Sequence, residues 1–96
     1  MSLLNSTRMS RLPPSHTPLN QHSLSALEIW LDELGAQKSN QDPCLWTWSM
    51  PEWSAEIRME NEELQVTWKR LGKSSQCSFP YGLSRKDVQI VISEGP

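Results

Sequence analysis

Beyond Pro43 the chain abandons helical spacing and alternates apolar with polar residues. Trp53, Ala55, Ile57 and Met59 are interleaved with Ser54, Glu56, Arg58 and Glu60; then Leu64, Val66 and Trp68 are interleaved with Gln65, Thr67 and Lys69. Successive side chains on a strand point to opposite faces, so a period of two predicts half-buried strands. Cys44, Trp46 and Trp48 share one side of a first short strand. Met50 with Pro51, and Asn61 with Glu62, link the runs too closely for a crossover, which makes an antiparallel meander the simplest arrangement. Gly72 to Ser75 reads as a turn, and Cys77 with Phe79 as a fourth short edge strand that Pro80 ends.

A helix precedes this region. Leu24, Leu27, Leu31 and Leu34, joined by Ile29 and Trp30, recur at helical spacing and form a broad apolar stripe. Ser23 or Ser25 can cap its start, Ser25 and Glu28 having the capping-box spacing, and Gly35 supplies a left-handed stop. Asp32 and Glu33 oppose the helix dipole at that end, so packing must stabilise the element. A second helix starts after Ser84, three residues before Asp87, with Val88, Val91 and Ile92 on one face. The expected fold is α+β: helix, three- or four-stranded antiparallel meander, helix, with both helices on one face of the sheet. It forms a single domain over residues 15–93, leaving 94–96 as a tail.

Residues 1–14 are expected to comprise a mobile extension and the start of a proline-rich leader. From Met1 to His22 there is no acidic residue; Arg8 and Arg11 are the full charges, and Pro13, Pro14 and Pro18 lie among Ser, Thr, Asn and Gln. Hydrophobic residues make up 36% of the whole chain, short of a typical compact domain, so part of it lies outside the core. The prolines hold their own backbone extended, which lowers the entropy lost on docking. Leu12 to Leu19 is therefore expected to pack against the body, with Met1 to Arg8 mobile. A leader left free would instead be a proline-rich ligand for another protein. Met9 offers a second start, and an acid-free Arg-bearing leader also has transit-peptide character, though it is short and lacks an amphipathic Arg-rich helix.

Nine Lys and Arg against eleven Asp and Glu give a net charge of -2, with no overall basic field to hold nucleic acid or an anionic membrane. No apolar run approaches bilayer-spanning length, and no secretory signal opens the chain. Cys44 and Cys77 read as two small buried thiols in a reducing, cytoplasmic setting. Zinc-ligand spacing is missing: His16 and His22 lie in the leader, and neither cysteine has a nearby second ligand. Glu52, Glu56 and Glu60 fall on one strand face about 13 Å apart per step, as a solvated face rather than a catalytic pair. No catalytic, cofactor-binding or metal-ligating residue is assigned.

Five tryptophans are the compositional excess. Trp46, Trp48, Trp53 and Trp68 fall on the inner faces and read as core. Trp30 flanks its helix stripe and is expected to be half exposed, where an indole anchors protein partners. Trp30, Leu12 and Leu19 are thus the candidate partner-binding residues. The expected function is a non-enzymatic protein-interaction module or small assembly factor of unidentified partner; the alternative is a small-ligand or single-stranded nucleic-acid binder using an open Trp-bearing sheet face.

Leu12-Pro-Pro-Ser-His-Thr-Pro-Leu19, Leu24-Ser-Ala-Leu-Glu-Ile-Trp-Leu31, Pro51-Glu-Trp53 and Leu83-Ser-Arg-Lys-Asp-Val88 together resemble a family of small cyanobacterial proteins built around a domain of unknown function. The resemblance covers nearly everything after Met9 and carries over no catalytic or ligand residue. It implies an intracellular setting in an oxygenic phototroph, and a leader with a fixed place on the body.

Overall fold

Ser23 starts the first helix, α1 (Leu24–Leu34), by accepting at Oγ a hydrogen bond from the Ala26 N–H at 3.0 Å. Gly35 ends it at φ 106°, a conformation that costs a glycine little, and Ala36 N–H donates back to the Leu31 carbonyl at 3.1 Å. Ala26, Trp30 and Leu31 are buried, while Leu27 and Leu34 pack half-buried against the same core. Leu24 departs from the expected stripe. It is 64% exposed, because the first turn carries it beyond the apolar surface that covers Leu31 on the same helical face. The structure, a computed structural model, describes residues 12–96.

The reversal at Gly35 feeds a five-stranded antiparallel sheet in sequence order: β1 (Gln37–Lys38), β2 (Leu45–Ser49), β3 (Ser54–Met59), β4 (Glu63–Arg70) and β5 (Lys73–Pro80). Its register aligns the alternating runs. Trp46, Ile57, Val66 and Cys77 form one row, and Trp48, Ala55, Trp68 and Ser75 the next. These rows face the helices, and the opposite face is polar.

Five strands replace the expected three or four. β1 carries no apolar residue to announce it, because the Gly35 turn delivers two residues alongside β2 and an exposed two-residue edge needs no hydrophobic pattern. The last hairpin turns at Leu71 and Gly72 rather than over Gly72 to Ser75. Both residues have positive φ (52° and 78°), the type I′ geometry that matches strand twist in two-residue hairpins. β5 is consequently eight residues long and begins at Lys73. Cys44 lies in the turn before β2, where its carbonyl still accepts from Met59 N–H at 2.9 Å although the residue is not part of the strand. It is exposed, and its N–H donates to Asp42 Oδ1 at 3.0 Å. Cys77 is half-buried on the edge strand, so the two thiols are free but not the expected buried pair.

Ser84 caps α2 (Arg85–Glu94), accepting at Oγ from Asp87 N–H at 3.1 Å. Val88 and Ile92 are fully buried, and Trp68 Nε1 donates to the Ile92 carbonyl at 3.3 Å, which fixes α2 over β4. Val91 is 38% exposed instead of sharing that face, since it stands about 100° round the helix from Ile92. The helix runs through Glu94, and Gly95 (φ 84°) lies against Trp53, where a Cβ would sit 2.6 Å from Nε1. The expected tail therefore contributes to the packed body.

The leader is docked. Its carbonyls meet two first-turn amides of α2 that an isolated helix would leave unpaired, Arg85 N–H to Thr17 and Lys86 N–H to Ser15, and the Arg85 side chain adds a bond from Nη2 to the Pro13 carbonyl. Leu19 N–H donates to Leu83 and Asn20 N–H to Tyr81, both at 2.9 Å, before a 3-10 turn over Leu19–Gln21. Leu19 is buried, and Leu12 is half-buried against the core. The expectations about Met1 to Arg8 and the alternative start at Met9 lie outside the described residues.

Candidate interaction surface

None of the residues picked from sequence as partner anchors projects into solvent. Trp30 is 2% exposed: its indole lies between the helices, and Nε1 donates to Gln89 Oε1 at 2.9 Å. Leu19 is 1% exposed, and Leu12 is spent on holding the leader. The tryptophans also leave no open aromatic platform. Trp46, Trp48 and Trp68 are buried on the covered face, and Trp53 meets Trp48 edge-to-face with centroids 5.6 Å apart.

The uncovered sheet face is a polar lattice. Lys69 Nζ bridges to Glu56 at 3.1 Å, and Arg58 bonds the Asp42 carboxylate. The Cys44 N–H and then the Arg58 guanidinium hold the Asp42 carboxyl below its ordinary range, and that carboxylate raises Arg58 in turn. At the far end of β4, Tyr81 donates its hydroxyl to the Glu60 carbonyl. Burial first, then the charges of Glu60, Cys44 and Glu63, push its phenol upward.

What remains open is the outer edge of β5. Arg70 and Lys73 close the two-residue turn as a hydrogen-bonded pair, and alternate pairs from there, Trp68 with Ser75 and Val66 with Cys77, bond in the same way. Ser74, Gln76 and Ser78 therefore turn both backbone groups away from β4, and among the described residues no further strand lies beyond β5 in the sheet order. Native edges are commonly blunted by charge, proline or a bulge. Here Lys73 and Pro80 stand at the two ends, with six uncharged or apolar residues, Ser74 to Phe79, between them.

The covered side of this edge is also incompletely roofed. Gln89 marks the flank of α2 that faces α1, through Trp30, and exposed Val91 lies about 200° further round, on the flank turned away from α1. On the covered face Ser75 is exposed and Cys77 half-buried. Toward the hairpin tip an open hollow of about 490 Å³ is bounded by Arg70, Leu71, Lys73, Ser74, Ser75 and Pro96. Charge is polarised along the same hairpin. Lys69, Arg70 and Lys73 cluster at its tip, whereas Glu60, Glu62 and Glu63 cluster about 24 Å away at the other end of β4.

Residues 34–95 match the family described as "Protein of unknown function (DUF3143)". The chain belongs to the DUF3143 family. No curated protein and no solved structure matches it. The DUF3143 match runs from the last residue of α1 through the packed Gly95, so it takes in the whole sheet, the β5 edge and α2. The leader and nearly all of α1 precede the DUF3143 match, although they supply Leu19, Trp30 and Leu31 to the core. Among the described residues no helix is long and apolar enough to cross a membrane.

The exposed edge was partly legible beforehand. Pro80 marked an edge strand, but parity alone could not identify it as eight residues long, because the turn that sets its start contains Leu71 rather than Asn or Asp.

Proposed function

We propose that this DUF3143 protein is a non-enzymatic protein-interaction module that takes an extended segment onto the free edge of β5. The observation that carries this reading is the outward row of backbone donors and acceptors on Ser74, Gln76 and Ser78, in a strand with no charge between its ends. Strand addition derives affinity from such main-chain groups, and its specificity from alternate side chains. The leader and helix motifs, together with two thiols outside any disulfide, support a cytoplasmic setting in a cyanobacterial cell.

Gln76→Pro tests this directly. It removes an outward N–H, which the ladder to β4 does not use, and blocks the edge without emptying the core. Immobilised wild-type protein should retain a partner segment that the folded Gln76→Pro variant loses. Equal retention by both, or by neither, contradicts the reading. The nucleic-acid alternative predicts instead a tryptophan fluorescence change on titration with single-stranded oligonucleotides that weakens steeply with salt.

A further inference from the structure

We infer that the segment taken up by this edge is β5 of a second copy of the same chain, joined antiparallel about a two-fold axis at Gln76 into one continuous sheet. The inference rests on the strand-addition reading and adds the identity of the occupant. Its first support is register. With Gln76 opposite Gln76, each Ser74 lies opposite a Ser78, and every outward N–H and C=O on these residues finds a partner. Sliding the strands by one step toward Cys77 would set Ser74 against Pro80, which has no N–H to give and whose carbonyl already accepts from Leu83 N–H.

Charge provides the second support. The hairpin is basic at its Lys69, Arg70 and Lys73 tip and acidic around Glu60, Glu62 and Glu63. Antiparallel pairing sets each basic tip beside the other copy's acidic end, with Lys73 opposite Phe79 and its backbone about 10 Å, two strand spacings, from that of the next strand's Glu63, whose side chain leaves the opposite face of the sheet. Parallel pairing would set tip against tip. At roughly a Debye length the attraction chooses orientation more than it adds affinity.

The third support is the open flank above the edge. Exposed Ser75 and half-buried Cys77 lie beside the axis, where the same residues of the second copy would cover them, and Val91 is exposed on the flank of α2 turned away from Trp30. The interface is isologous, so it closes at two chains and leaves no free β5 edge.

Sedimentation velocity across a concentration series, on the wild-type chain and on Gln76→Pro and Val91→Asp, reads the association. The wild type should reach twice the chain mass, and each variant should weaken association by roughly tenfold or more while remaining folded by circular dichroism. Register is read with Ser75→Cys, because Ser75 lies directly opposite Cys77 of the other copy. Under mild oxidation this variant should form a covalent dimer, and the Ser75→Cys, Cys77→Ser pair should not. A wild type that stays monomeric throughout, a dimer that Gln76→Pro leaves intact, or a Ser75→Cys variant that does not cross-link overturns self-pairing. With a monomeric wild type, retention of another segment that Gln76→Pro abolishes would show that the edge still binds by strand addition, but to a different partner.

Discussion

Trp30 on α1 donates from its indole Nε1 to Oε1 of Gln89 on α2, 2.9 Å apart and 59 positions distant in sequence. The bond joins the two helices above the sheet and fixes which way α2 is turned. It also withdraws from solvent the tryptophan that the sequence marks most plainly as a partner anchor.

Gln89→Leu should therefore destabilise the domain by about 1–3 kcal/mol, because it leaves a buried indole N–H unpaired. Chemical denaturation with tryptophan fluorescence measures this. Trp30→Ala should cost more, about 3–5 kcal/mol, through loss of the buried ring itself.

The docked leader makes a similar prediction outside the DUF3143 match. Leu19 is 1% exposed within the core, so Leu19→Ala should destabilise the fold by about 2–5 kcal/mol. NMR order parameters at Thr17 and Leu19 should equal those of the strands, since the Thr17 carbonyl and the Leu19 N–H are both bonded to the segment that starts α2.

Strand pairing and helix ends were legible because they follow local rules. The alternation of Ala55, Ile57, Leu64, Val66 and Trp68 fixes parity, and Ser23, Gly35 and Ser84 are found where end chemistry places them. What escaped was decided by tertiary position. Leu24 shares the helical face of Leu31 but overhangs the core, Trp30 leaves the main stripe yet meets Gln89, and Cys44 has strand parity without belonging to a strand. Pro80 marks β5 as an edge strand, but for a related reason the length and freedom of that edge do not follow from the pattern. An edge consists of backbone groups, and side-chain patterns do not report whether another strand lies beyond them.

Leu71 departs from the usual turn chemistry. It occupies a left-handed position at φ 52° and is 91% exposed, so it bears the conformational penalty without burial to offset it. Leu71→Asn should stabilise the protein by about 1 kcal/mol, since asparagine suits the first central position of a type I′ turn. Thermal unfolding of the two proteins side by side checks it.

Alkaline pH should act through Tyr81. Burial and the neighbouring acidic groups raise its phenol above the ordinary value near 10, so between the unfolded and folded values the native state binds more proton. Its contribution is complete below about pH 10 and is lost as pH rises through the raised value. The phenolate also cannot donate to the Glu60 carbonyl. Phenolate absorbance should titrate later in the folded protein than in denaturant, and Tyr81→Phe should flatten the fall in stability over that range.

Residue-resolved amide hydrogen exchange along β5, recorded at low and high protein concentration, tests the free edge and its occupant together. Ser75 and Cys77, bonded to β4, should be slow at both concentrations; Ser74, Gln76 and Ser78 should exchange rapidly when dilute and become protected as concentration rises. Rapid exchange at these three amides that does not change with concentration would contradict self-pairing, and protection already complete in the dilute monomer would contradict a free edge.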